Sequence, residues 1–369
     1  QRGLPFAPPR LATRPRPLHL FGPKDEVAPL APEELPEQWA WNLRGRLKPL
    51  ASGGHRAVYA ASLRGEQQPD VVVKRLSPRT AEQAASVRRE LQVLEKFSGR
   101  SGFLTLFAAS SASFEVASGD DVYLLLERAL GSFEDLVVRA KWSNVGFEVR
   151  LRLIADVLRA VVAMSGQRIV HQELRPATVL IVGEARQPQT WKAVVSGLAN
   201  VSTVREDRWE VSSAVGTPPF NPPEGTVSAR PSRDVWAVGM MLYQVILGDF
   251  PPSIADALDR DPGEVQTVLR TFKLENEGPF GELREISPDI ADLCGRMLAV
   301  TPENRMSARL ALSTLEGIAD RRGFDIAPTA GPPPLEFELA EPPVGVLSAL
   351  GRRLFGQPSP EAPEEEQDD

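Results

Sequence analysis

The chain has 369 residues, 42% hydrophobic and 25% charged, enough for one two-lobed domain with a large core. Its formal net charge of −7 argues against a general nucleic-acid binder. A single cysteine, Cys294, excludes an intrachain disulfide, and no apolar run approaches the roughly 18 residues that span a membrane.

Residues 1–36 carry nine prolines and no steady hydrophobic period, which predicts an extended arm, mobile unless it docks on the body. Trp39 and Trp41 are placed to anchor it. Leu47 to Leu63 reads as two strands around a turn at Ser52-Gly53-Gly54, and Val71 to Lys74 as a third. A helix is predicted from Thr80 to Phe97, with Val87, Leu91, Val93 and Leu94 on its apolar face. Leu104 to Phe107 and Val122 to Leu126 supply two more short strands. Phe147 to Met164 is amphipathic, with Leu151, Ile154, Val157, Leu158, Val161 and Val162 at helical spacing. Ile169 to Ile181 reads as a tight loop before a short strand, and Trp191 to Val195 as another strand. Arg233 to Leu247 is a largely apolar helix, suited to the centre of a lobe. Helices near Pro288 to Leu298, which holds a buried Cys294, and Ala308 to Arg321 follow. After Phe324 the chain is again Pro-rich, with a short amphipathic patch at Val344 to Phe355 and an acidic, solvated end.

Six landmarks then fall in order. Lys74 ends the third strand, and Glu90 sits on the following helix. The loop holds His171, Leu174, Pro176, Val179 and Leu180. Gly216-Thr217-Pro218-Pro219-Phe220-Asn221-Pro222-Pro223-Glu224 precedes Asp234-Val235-Trp236-Ala237-Val238-Gly239, and Arg305 comes late. From about residue 45 to 324 this resembles the protein kinase family. The resemblance implies an α+β, two-lobed fold with a small β-rich amino-terminal lobe and a larger helical carboxy-terminal lobe. It divides the chain into a Pro-rich extension (1–40), the first lobe (41–128), the second lobe (129–324) and a Pro-rich, acidic tail (325–369). Glu127-Arg128-Ala129 becomes the hinge. The same resemblance makes Glu224 and Arg305 a buried ion pair, Asp234 a cap on backbone amides near the loop, and His171 a core residue with one local hydrogen bond.

The reactive positions depart from the family. Glu173 stands where the resemblance places the catalytic Asp, Arg175 at the phosphate-facing Lys, and Thr178 and Val195 at the two metal ligands. Of the glycine loop only Gly53 remains, with Ala51 and Arg56 at the other two positions, so Arg56 either binds phosphate or fills the pocket. Val72 narrows the adenine ceiling, Gln172 replaces the phosphate-reading arginine, and Ser196 replaces the aromatic that joins the lobes. Lys74 and Glu90 persist, either as a vestigial nucleotide clamp or as an ion pair that serves the fold.

These departures lead to the expectation of a pseudokinase. It would be a scaffold that is not an enzyme, with no catalytic residue or metal and no cofactor, ATP binding being left open. It would act through protein partners or allosteric regulation and not on nucleic acid. The surfaces offered for partners are Val195 to Glu224, the arm and the tail. The alternative is an unconventional weak kinase or nucleotidyl transferase using Lys74, Glu173 and Arg175. The degenerate glycine loop and Pro-rich flanks also resemble the secreted rhoptry and dense-granule pseudokinases of apicomplexan parasites, including the cyst-wall type. A start at Gln1, which fits removal of a signal peptide, and a glycosylation sequon at Asn200-Val201-Ser202 agree with secretion, a cytoplasmic location being the alternative.

Overall fold

The computed structural model describes residues 28–36, 39, 43, 47–62, 71–138, 145–203, 216–225 and 230–328. The arm before residue 28, Trp41, Leu63, stretches 204–215 and 226–229, and the tail with its Val344 to Phe355 patch lie outside the described residues.

The β-branched and aromatic runs near the start form one antiparallel sheet. Its strands are β1 (Lys48–Gly53), β2 (Arg56–Ala61), β3 (Val71–Leu76), β4 (Leu106–Ala109) and β5 (Val122–Glu127), in the spatial order β1-β2-β3-β5-β4. The first turn closes one step later than the sequence suggests, with Gly54 at φ 57°. Helix α1 (Ala81–Phe97) begins at Thr80, whose hydroxyl accepts the Gln83 amide (3.2 Å). Ala84, Val87, Leu91 and Leu94 are buried in one core with Val72, Leu76, Leu124 and Leu126. Because strand side chains alternate, Tyr59, Val71, Val73 and Leu125 face the other way. They form a second cluster, completed by Leu30, Leu35, Trp39, Leu43 and Leu47. Leu30 and Leu47 exchange backbone hydrogen bonds (3.1 and 2.9 Å), and Tyr123 Oη donates to Glu34 O (2.7 Å). Residues 28–36 therefore dock on the outer face of the sheet. Each large apolar side chain buried there contributes on the order of 1.5–3 kcal/mol before entropy is counted.

The second lobe is built around two long helices. In α2 (Phe147–Ser165), Leu151, Ile154, Val157, Leu158 and Val161 are buried, as their spacing requires. Strands β6 (Gly131–Ser132), β8 (Val179–Val182) and β9 (Lys192–Val195) make a small sheet ordered β6-β8-β9, while β7 (Ile169–Val170) pairs with β10 (Ser202–Thr203). Helix α3 (Ser232–Leu247) is the centre of the lobe, buried from Arg233 to Ile246. Helices α4 (Pro252–Arg260), α5 (Val265–Arg270), α6 (Gly278–Ile286), α7 (Pro288–Met297) and α8 (Ala308–Arg322) complete the lobe, with α2, α6 and α7 packed against α3. Gly239 is glycine because a Cβ there would stand 2.9 Å from Leu298 Cδ2 and 3.0 Å from Met297 Cβ. Cys294 is fully buried, and burial pushes its thiol above the usual range. Among the described residues no helix is long and apolar enough to cross a membrane.

Candidate active site

Strand β3 and helix α1 bring Lys74 and Glu90 together. The β3–β5 register sets Lys74 opposite Leu124, on the α1 side of the sheet, and its ammonium forms an ion pair with Glu90 Oε1. Burial drives the Glu90 carboxyl upward, but the charges of Lys74 and Arg56 outweigh it and the net direction is down. Glu90 Oε2 is buried without a hydrogen-bond partner. Arg56 reaches from the glycine-loop hairpin to α1, where Nη2 donates to Ser86 Oγ (3.2 Å). Ser86 Oγ in turn donates to Ala199 O (3.3 Å), as does Arg89 Nε (3.2 Å). The hairpin, α1 and the turn after β9 are thus tied through one serine. Val72 is buried in the core above this point.

The loop between β7 and β8 is held from below by α3. Asp234 accepts the amides of His171 (2.7 Å) and Gln172 (3.1 Å). Burial raises the Asp234 carboxyl, against the pull of His171 and these two amides. His171 is fully buried, and its Nε2 donates to Ser196 O (2.8 Å). Both features agree with the sequence argument. So does the pair between Arg305 and Glu224, which is bidentate (2.8 and 2.9 Å).

The same loop sets Glu173 and Arg175 side by side. Glu173 Oε1 lies 3.7 Å from Arg175 Nη2, and Glu173 Oε2 accepts from Asn200 Nδ2 (2.8 Å). The Arg175 guanidinium is largely buried, yet Nε and Nη1 have no hydrogen-bond partner. Desolvation lowers its pKa, while Glu173 and Glu134 raise it. The guanidinium is thus buried among carboxylates with two of its donors unmatched. Thr178 is committed elsewhere: its hydroxyl accepts the Arg175 amide (3.0 Å) and faces Glu173 O (2.9 Å) and Arg175 O (3.0 Å). Val195 is buried, and its amide is bonded to Gly102 O (2.8 Å). Neither position offers the hard oxygen ligands that a Mg²⁺ ion needs. Sequence reasoning missed Ser86 as a tie and Asn200 as a partner of Glu173. Both are single polar residues without a period to mark their partners.

Residues 46–315, more than half of the chain, match the protein kinase domain family. The chain belongs to that family. It is similar to calcium-dependent protein kinase 9 of Oryza sativa subsp. japonica, with 30% identity over 239 residues, 63% of this chain and 38% of the rice protein. The serine/threonine-protein kinase dkf-1 of Caenorhabditis elegans is 26% identical over 271 residues, 72% of this chain and 35% of the nematode protein. Human serine/threonine-protein kinase DCLK3 is 29% identical over 197 residues, 52% of this chain and 28% of the relative. The chain spans about a third of the length of these curated relatives.

These matches overturn the expectation that the chain is not an enzyme, because the family and the relatives named are protein kinases. That expectation rested on the joint loss of both metal-ligand positions, Thr178 and Val195, beside an intact fold. In the folded kinase domain the Lys74–Glu90 pair is formed, and Glu173 and Arg175 still present a carboxylate beside a cation.

Proposed function

We propose that this kinase domain transfers a phosphoryl group from a nucleoside triphosphate to a protein hydroxyl, by an unconventional arrangement of Lys74, Glu173 and Arg175. The observation that carries the reading is the cation of Arg175 beside the carboxylate of Glu173, together with the Lys74–Glu90 pair. A bound nucleoside triphosphate supplies the terminal phosphoryl group. Lys74, held by Glu90, and Arg175 hold phosphate oxygens and offset their negative charge, the largest demand in this class of reaction. The guanidinium contributes a planar fork where the family has an ammonium. Glu173 accepts the proton of the attacking hydroxyl. The bond from the terminal phosphorus to its bridging oxygen breaks, the bond to the acceptor oxygen forms, and the nucleoside diphosphate leaves. Thr178 and Val195 do not fit a divalent ion, so the charge at phosphate falls to the two cations.

The test is transfer of label from γ-labelled ATP to dephosphorylated casein and to a serine/threonine peptide library, with Mg²⁺, with Mn²⁺ and with chelator. The expected outcome is measurable transfer that falls at least about tenfold in Lys74→Met and in Arg175→Met. Wild-type protein that transfers no label under any condition overturns the reading.

A further inference from the structure

We propose that Asn200 is a positioning residue for the Glu173 carboxylate. The inference rests on the function proposed above. Glutamate carries one more methylene than the aspartate of the family pattern, hence one more torsion to fix before its oxygens sit in a productive place. The structure supplies the fixing group: Asn200 Nδ2 donates to Glu173 Oε2 at 2.8 Å. Arg175 stands farther off, at 3.7 Å from Oε1, so the closer tie is the one to Asn200.

Asn200 can act as a fixed donor because its own position is held from two sides. Its carbonyl accepts Gln172 Nε2 (2.8 Å), and the same amide also donates to Ser202 Oγ. One residue earlier, Ala199 O accepts from Ser86 Oγ and Arg89 Nε on α1. The turn Leu198–Asn200 starts from Gly197 at φ 73°, so its entry angle is set as well. Gln172 and Glu173, neighbours in the chain, therefore both bind Asn200, one at its backbone and one at its side chain. Where the family resemblance implies an arginine that reads a phosphate, this chain has a direct amide tie. The carboxylate is placed by the turn after β9 without a phosphate in that role.

The experiment uses the full chain, γ-labelled ATP and dephosphorylated casein. Asn200→Ala is expected to lower kcat by roughly 10- to 100-fold, the scale for a reacting group displaced by about 1 Å. The KM for ATP should stay within about twofold, since Lys74 and Arg175 are untouched. In a Glu173→Ala background, adding Asn200→Ala should change transfer by less than about twofold, because the group it positions is already gone. Asn200→Asp keeps the shape and removes the donor, so it should lose at least as much activity as alanine and covers a failure of the alanine variant to fold. Full kcat in either single variant, with an active wild type, overturns the inference alone. An equal loss in the Glu173→Ala background overturns it too, since it marks a merely structural role. A wild type without transfer overturns both this inference and the function on which it rests.

Discussion

Arg305→Ala should be among the most damaging single changes in the kinase domain. The guanidinium is fully buried and makes five contacts at once. It forks onto Glu224 (2.8 and 2.9 Å) and donates to Ser232 O (3.0 Å), Ala299 O (3.0 Å) and Val300 O (3.3 Å). It also lies over the Trp236 ring, 5.2 Å from the centroid. Truncation leaves a mostly buried carboxylate unpaired and three carbonyls without this donor. Removing one partner of such a pair costs about 3–5 kcal/mol, out of a total stability of about 5–15 kcal/mol. At roughly 2–4 °C per kcal/mol, Tm should fall by roughly 6–20 °C. Urea unfolding followed by tryptophan fluorescence and circular dichroism measures the loss. Glu224→Ala completes a double-mutant cycle in which the pair should lose less than the two singles added, by about 1.5 kcal/mol or more. A loss below about 1 kcal/mol for Arg305→Ala, or strict additivity, would refute the reasoning.

Three further outcomes follow from the packing. Burial pushes the Asp156 carboxyl up to about 6, against the pull of the Ala193 amide and Arg159. The folded state binds that proton more tightly than the unfolded chain, whose Asp titrates near about 3.9, so the contribution is full below that value and lost as pH rises through about 6. Wild type should gain about 1.4 kcal/mol from this group between pH 7.5 and pH 5, and Asp156→Asn should lack that gain in paired urea titrations; identical slopes would rule it out. Gly102 has φ +85°, and a Cβ there would stand 2.7 Å from both Ala160 Cβ and Asp156 O. Gly102→Ala should therefore cost about 2–5 kcal/mol by adding backbone strain to overpacking, and an unchanged urea midpoint would contradict the close approach. Trp39→Ala, in the cover of the outer sheet face, should cost about 3–5 kcal/mol. A loss under about 1 kcal/mol in thermal melts would show that the cover is not part of the folded core.

Much of this architecture could be read from the residues, for identifiable reasons. Helix α1 has both a period and a capping threonine, so its bounds agree with expectation to within a residue. Asp234 and the Arg305–Glu224 pair stand at motif positions whose partners are implied by the frame. Strand β4 starts at Leu106, two residues later than the hydrophobic run suggested. Phe103 is drawn aside to stack on Phe97 (4.6 Å) and to bridge Val195, and Ser98 Oγ takes the Leu106 amide. Helices α4, α5 and α6 were not resolved individually in the sequence, being only nine, six and nine residues long. The docking of residues 28–36 had a signal that went unused. Ala57, Tyr59 and Ala61 give one face of β2 an apolar surface that needs a cover, while Val58 and Ala60 on the other face are half-buried. At the site, Glu173 and Arg175 were visible as altered letters. That their side chains would be arranged with Asn200 was not, because a hydrogen bond between single residues leaves no periodic trace.

The cover over the outer sheet has a consequence for what counts as one heritable piece. The family match runs from 46 to 315, yet the second hydrophobic cluster needs Leu30, Leu35, Trp39 and Leu43. At the other end Ile318, Ala319 and Ile326 belong to the main core, and Arg159 Nη2 donates to Ile326 O (2.7 Å). A fragment cut at the matched limits would expose Tyr59, Val73 and Leu125 on one side and open the α2–α8 packing on the other. The packing that completes the two cores therefore runs past the matched limits, at least to Leu30 on one side and to Ile326 on the other. Recombination at the edges of the recognisable kinase motifs would cut through both cores and should be rejected.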